Sequence, residues 1–302
     1  MKRPPVIVAV VLVATCLWSG VPAAAAASRP APAPVAASPL SVRIGAASVS
    51  GSIARDIGFP QCWMGLPGAA SGVSGVLGTN DGRSFTTNPC LEAELAWAKR
   101  LPAAPAFYAN TGNPGPARAK HWPLGRTTPR VCSSSSPNSR GCAYDYGWTA
   151  AMQSYSVAVD AAQRLHHVSR ANAQRRAANV DWWLDVETMN SWQSSDGAVT
   201  AAGQLRDAET LRGEIDALHA VGIAKVGVYS TPYQWQTIVG TSGSIHAWFA
   251  GVPQWLAGYA SFSGASEGCD AHGFTGGTVR MTQYLGRDGF DSDVVCATGD
   301  GD

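Results

Sequence analysis

Val180-Asp181-Trp182-Trp183-Leu184-Asp185-Val186-Glu187-Thr188 is the stretch that decides the fold. Val, Trp and Leu bounded by polar loops read as a buried strand. Two acids, Asp185 and Glu187, close it. Residues two apart on a strand share a face, so both carboxylates project the same way, with Cα atoms about 7 Å apart. Like charges that close raise at least one pKa and yield an acid and a base at neutral pH. Paired carboxylates are what glycoside hydrolysis requires. The structural alternative is an acid that caps the next turn beside one that meets an arginine.

Seven more strand-like runs surround this one: Ile53–Phe59, Gly75–Thr79, Ala106–Asn110, Lys225–Ser230, Gln254–Tyr259, Thr278–Leu285 and Asp291–Cys296. Helical stretches lie between several of them. One opens at Asn88-Pro89, with a cap residue followed by Pro at the first position. A long Ala-rich one covers Trp148–Arg176. A third, Gln204–His219, presents Leu205, Leu211, Ile215 and Leu218 and stops at Gly222. Strands alternating with helices imply a parallel sheet, and eight strands in one domain imply a single α/β, (β/α)8 TIM-type barrel. The first and last units leave little room for full helices, so the barrel is expected to be irregular there. The segment 112–147, rich in Pro, Ser, Arg and Gly, follows a strand end. It reads as an active-site wall or as a stapled surface loop.

The domain plan follows from composition. Met1-Lys2-Arg3, an apolar run Val6–Trp18 and small residues Ala23–Ala27 read as a secretory signal peptide over 1–27, too short for a membrane span. Cys16 follows Thr15, a poor residue before a lipidated cysteine, so ordinary cleavage is the expectation over lipoprotein anchoring. Residues 28–41 are a Pro/Ala-rich linker, and 42–302 the barrel. A net charge of +1 with 14% charged residues excludes a nucleic-acid binder. The absence of a 20–50-residue repeat excludes solenoids and propellers. The expected product is an exported or envelope-associated monomer with no transmembrane segment after cleavage. Six cysteines remain past the leader: Cys62, Cys90, Cys132, Cys142, Cys269 and Cys296. An even number in an exported chain implies disulfide-stapled loops; fifteen pairings are open, and neighbour pairing is the expectation. Their spacings are not those of zinc sites, and neither metal nor cofactor is expected.

The acids sort by position. Asp56 lies in the first strand, and Asp291 and Asp293 begin the last. Of six glutamates, Glu92, Glu94, Glu209 and Glu214 fall in helical stretches and read as solvated faces, and Glu267 falls in a loop. Glu187 alone ends an apolar strand, which singles it out as a general acid. Asn110, Tyr108, Tyr229 and Tyr284 sit near strand ends, where they can contact sugar or pack the barrel top.

With these residues in order, the chain resembles the glycoside hydrolase family 25 (lysozyme/muramidase-like) barrels, and more closely their exported actinobacterial relatives. The pieces that carry the resemblance are Asp56-Ile57-Gly58, Leu184-Asp185-Val186-Glu187, Gly227-Val228-Tyr229-Ser230, Trp255-Leu256-Ala257-Gly258-Tyr259, and Gln283-Tyr284 followed by Asp291 or Asp293. The resemblance implies cleavage of the β-1,4 bond between N-acetylmuramic acid and N-acetylglucosamine in cell-wall glycan. It implies Glu187 as general acid, Asp185 as orienting or stabilising partner and Asp56 in the same cleft. Tyr229, Tyr284, Trp255, Asn110, Asp291 and Asp293 are the expected substrate contacts. The six cysteines and the 112–147 insertion depart from the family pattern, and Trp63, Trp122 or Trp192 then replace sugar contacts or narrow the cleft. A non-catalytic glycan-binding barrel and a structural envelope protein are the competing readings.

Overall fold

The computed structural model describes residues 52–68 and 72–297; the expected signal peptide and linker lie outside them. Eight strands close a barrel in sequence order: β1 (Ser52–Ile57), β2 (Ser74–Gly78), β3 (Ala106–Asn110), β4 (Trp182–Asp185), β5 (Val226–Ser230), β6 (Gln254–Tyr259), β7 (Val279–Leu285) and β8 (Asp291–Val295). The α/β barrel and all eight strand runs are as expected.

The all-parallel arrangement is not. β1 to β7 run parallel, but β8 is antiparallel to both β7 and β1. The cause is local. Residues 286–290 alone join β7 to β8, whereas a parallel crossover needs about a dozen or more. The link closes as a tight turn, with Gly286 N–H to Phe290 O at 2.8 Å and Gly289 at φ 81°, a conformation that favours glycine.

The helices are α1 (Leu91–Ala98), α2 (Arg140–His166), α3 (Arg170–Ala178), α4 (Ala201–Ala220), α5 (Pro232–Ile238), α6 (Gly243–His246) and α7 (Phe262–Gly268). A short 3-10 turn, Phe59–Trp63, takes the place of a full helix after β1. The long Ala-rich helix is two helices, α2 and α3. The break comes at His167, which sits left-handed at φ 51°, and Ser169 caps the new start by accepting from Asn172 N–H. α2 also begins earlier than expected, inside the insertion, where the Ser139 side chain accepts from Cys142 N–H. α2 and α4 cross closely: a Cβ on Gly147 or Gly213 would collide with the backbone carbonyl of Thr210 or Tyr144.

Strand alternation divides the apolar side chains into two sets. Outward residues Ile57, Leu77, Phe107, Trp182, Leu184, Val226 and Val228 pack beneath the helices. Inward residues Ala54, Val76, Trp183, Trp255 and Met281 fill the barrel, with Tyr108 and Tyr229 above them. Trp183 and Trp255 meet edge to face at 5.9 Å. The cysteines pair as neighbours, Cys62–Cys90, Cys132–Cys142 and Cys269–Cys296.

Three glutamates expected on solvated faces are buried instead. Glu209 is fully buried, ion-paired with Arg130 at 2.9 Å, Arg212 at 3.3 Å and Arg140. Arg130 and Arg140 come from the insertion and the first turn of α2, which the pattern of α4 alone does not reveal. Glu94 is buried, with Asn88 Nδ2 donating to its Oε2 at 2.7 Å. Glu214 is buried between the barrel and α2, and its Oε2 meets no donor among the described residues. Glu92 does lie on the surface, paired with Arg164 at 2.8 Å.

Candidate active site

The carboxyl ends of the parallel strands form one rim, and the inward positions there carry the polar residues. Asn110, Asp185 and Tyr229 are consecutive partners across β3, β4 and β5, and Asp56 pairs with Asp291 across β1 and β8. Because β8 runs backwards, its first residue, not its last, reaches this rim.

β4 ends at Asp185, two residues earlier than the sequence suggests. Val186 N–H still bonds to Tyr229 O at 2.9 Å, and the chain then turns as Asn190 N–H donates to Glu187 O. Glu187 is therefore just past the strand, yet its carboxyl shares a hydrogen bond with that of Asp185. Two carboxyls can share one only when a proton lies between them. Asp185 Oδ1 has no other donor among the described residues, and Asn110 Nδ2 donates to its Oδ2. Burial raises both pKa values; the Glu187 and Asp56 charges and the shared bond raise Asp185 further, whereas at Glu187 the bonds to Gln234 and Asp185 oppose the rise and the Asp291 charge adds to it.

The supports of this pair are themselves fixed. The carbonyl of Asp185 accepts from Thr111 N–H at 3.1 Å and Thr111 Oγ1 at 2.5 Å. Gln234, near the start of α5, takes Thr188 N–H on its Oε1 at 2.6 Å and hydrogen-bonds the Glu187 carboxyl. Its helix is placed by Pro232 and by Thr231, whose side chain accepts from Gln234 N–H. Across the rim, Tyr229 O–H donates to Gln283 Oε1 at 2.6 Å, so the Gln283 amide presents Nε2 to Asp56 Oδ2 at 3.0 Å. Burial raises Asp56 well above the usual carboxylate range, the charges of Asp291, Glu187 and Glu94 add to it, and the Gln283 bond opposes them. Burial also raises Asp291.

The expected site residues thus separate. Asp56, Asp185, Glu187, Asp291, Asn110 and Tyr229 come together. Trp255 is 1% exposed, and its Nε1 donates to Asp293 Oδ1 at 2.9 Å inside the barrel. Both belong to the barrel core below the rim; of the two terminal acids, Asp291 is the one at the mouth. Tyr284 is on the opposite face of β7 from Gln283, edge to face with Phe262 at 6.0 Å. Trp192 is fully buried, bonding Glu187 O through Nε1 at 2.9 Å; Trp63 is 79% exposed after β1. Sequence reasoning gave Gln283 no role of its own and did not single out Gln234. The Thr231-Pro232 helix start directly after β5 is the signal that would have found the second.

Among the described residues no group of three or more His, Cys, Asp or Glu is arranged to hold a metal, and no helix is long and apolar enough to cross a membrane.

No family model matches the chain, and no curated protein matches it by sequence. Solved structures similar to it include a muramidase from Acremonium alcalophilum, at 15% identity over 82% of this chain and 95% of that one, TM-score 0.50. A bacterial lysozyme from Streptomyces coelicolor is 14% identical over 83% and 94%, TM-score 0.44. A glycosyl hydrolase 25 of Streptococcus pneumoniae is 14% identical over 82% and 87%, TM-score 0.48. At such identities the likeness is one of fold alone: the chain shares the barrel fold of the muramidase structure.

Proposed function

We propose that this chain is an exported glycoside hydrolase that cleaves the β-1,4 glycan of peptidoglycan. The observation that carries the reading is the proton-sharing Asp185–Glu187 pair crowded by Asp56 and Asp291 on one barrel rim. Four carboxyls gathered there cost stability unless they serve chemistry. Glu187, the rim member of the pair, relays the proton it shares with Asp185 to the leaving glycosidic oxygen as the bond to the anomeric carbon breaks. Asp185, held by Asn110, becomes the negative charge beside the developing oxocarbenium ion once the shared proton has left, and Asp56, held by Gln283, lines the same cleft. Water supplies the hydroxyl at the anomeric carbon, and its remaining proton returns to the Asp185–Glu187 pair. Export is supported by the leader-like residues 1–27 and by six cysteines joined in three disulfides, the habit of oxidising compartments.

Glu187→Gln keeps the volume and can still meet Gln234 and Asp185 but has no acidic proton to give. Release of reducing ends from purified peptidoglycan should fall by about 10²–10⁴-fold, with an unchanged melting temperature. Folded wild-type protein that is inert on several bacterial walls would overturn the reading in favour of a binding or structural barrel. An active enzyme indifferent to Glu187→Gln would keep the class and refute the assignment.

A further inference from the structure

Beside the acidic mouth lies a groove of about 480 Å³, within the range of small-ligand sites. The two share a wall. Thr111 and Asn190 line the groove and both bond the carbonyl of Asp185, Asn190 Nδ2 at 3.4 Å. Ser84, also on the groove, reaches the carbonyl of Asn110. A ligand in the groove is therefore one residue of backbone away from the paired acids.

Its charge is opposite to that of the mouth. Arg83 enters from the loop after β2, and Arg118, Lys120 and His121 from the 112–147 insertion. Arg118 is tied to Asp196 at 2.6 Å. Arg83 and Lys120 are exposed, and among the described residues neither pairs with a carboxylate. The remaining wall mixes polar residues with apolar surface from Phe85, Tyr146 and Met189. Met189 is 93% exposed. Phe85 is held at φ 64°, unfavourable for a residue with a Cβ, with its ring stacked on His121 at 4.6 Å and against Tyr146 at 5.0 Å.

We propose that this groove receives a carboxylate-bearing peptide branch of the glycan, so that the substrate is branched wall polymer and not the bare sugar chain. The inference rests on the hydrolase reading above and extends it. Acids at the mouth repel an anionic branch; two unpaired cations beside them attract it, which fixes how the chain lies across Glu187. A peptide branch offers carboxylates for Arg83 and Lys120 and small apolar side chains for Phe85 and Met189. A phosphate-linked polyol branch offers the charge alone.

The test is equilibrium binding by the Glu187→Gln protein of labelled peptidoglycan strands with stem peptides intact, the same strands after removal of the stems by an amidase, and stripped strands bearing a phosphate polymer. Intact strands should bind about fivefold more tightly than stripped ones, as expected for two exposed charge contacts, and the advantage should shrink at high salt. Adding R83E/K120E should bring intact strands down to the affinity of stripped ones, with R83Q/K120Q between. Both positions are exposed, and a melting curve controls for folding. Equal affinity for intact and stripped strands, a preference that survives R83E/K120E, or tighter binding of the phosphate-bearing strands would overturn the proposal. Turnover by wild type, measured in parallel, separates the two readings. Stem preference without hydrolysis defeats the enzyme and leaves the branch site; hydrolysis without stem preference does the reverse.

Discussion

Glu94 gives a stability test that does not depend on any substrate. Its carboxyl is fully buried beside the barrel, with one oxygen accepting from Asn88 and the other, Oε1, meeting no donor among the described residues. Burial raises its pKa from 4.5 to about 7, against the Asn88 bond. A folded-state pKa above the unfolded one means that the folded protein holds the proton over a window where the unfolded chain has released it. Stability from this group is complete below pH 4.5 and is lost as pH rises through about 7. At about 1.4 kcal/mol per unit, the loss is on the order of 3 kcal/mol. Glu94→Gln keeps the shape and the acceptor for Asn88 but never ionises. At pH 4 the variant and wild type should unfold at nearly the same urea concentration. At pH 8 the variant should be the more stable by about 3 kcal/mol, a rise in melting temperature of about 6–12 °C for a domain this size. Glu94 also raises Asp56, so its removal should move the pH–activity profile slightly to lower pH. The comparison is between two proteins at each pH, which cancels the other buried acids, such as Asp207 at about 7. A variant equally stable at pH 4 and less stable than wild type at pH 8 would refute the reasoning, since it would mean that the ionised carboxylate is favourably held.

Glu209→Gln should act in the opposite direction. It leaves Arg130, Arg140 and Arg212 facing a neutral group, but their side chains are 34%, 52% and 30% exposed and can rehydrate, so the loss should be about 2 kcal/mol rather than that of a fully buried pair. A melting temperature lower by about 4–8 °C would be read by calorimetry; no change would show that the three arginines contribute nothing. Thiol titration of unfolded, unreduced protein lacking residues 1–27 should find no free thiol, since all six cysteines are bridged; two reactive thiols per chain would contradict the pairing.

What the sequence disclosed follows the range of the forces involved. Strand runs are local, and Trp182 to Asp185 declares itself through composition alone. The acids at strand ends were legible because a barrel puts those ends on one rim. The burial of Glu209 was not, because two of its three partners arrive from 69 and 79 residues away. Helix periodicity marks which positions share a face, not what later packs against it. Tyr284 lies off the mouth for a related reason: a one-residue difference on a strand exchanges core and outside, and Gln283 holds the inward place.

The antiparallel β8 shows how a departure from the regular pattern can complete a site. Were β8 parallel, Asp291 would start at the amino end of the barrel, far from the acids on β1 and β4. A parallel return would need a crossover that residues 286–290 are too few to form. The short turn reverses the strand, sets Asp291 opposite Asp56 in register, and carries Asp293 two residues deeper, where Trp255 takes it up. The same five residues that deny the barrel its last helix therefore deliver a carboxyl to the mouth. Its field reaches both Asp56 and Glu187, raising each. The hairpin thus adds to the electrostatics that raises Asp56 and Glu187, and the irregular end of the barrel is tied to the candidate site through that one residue.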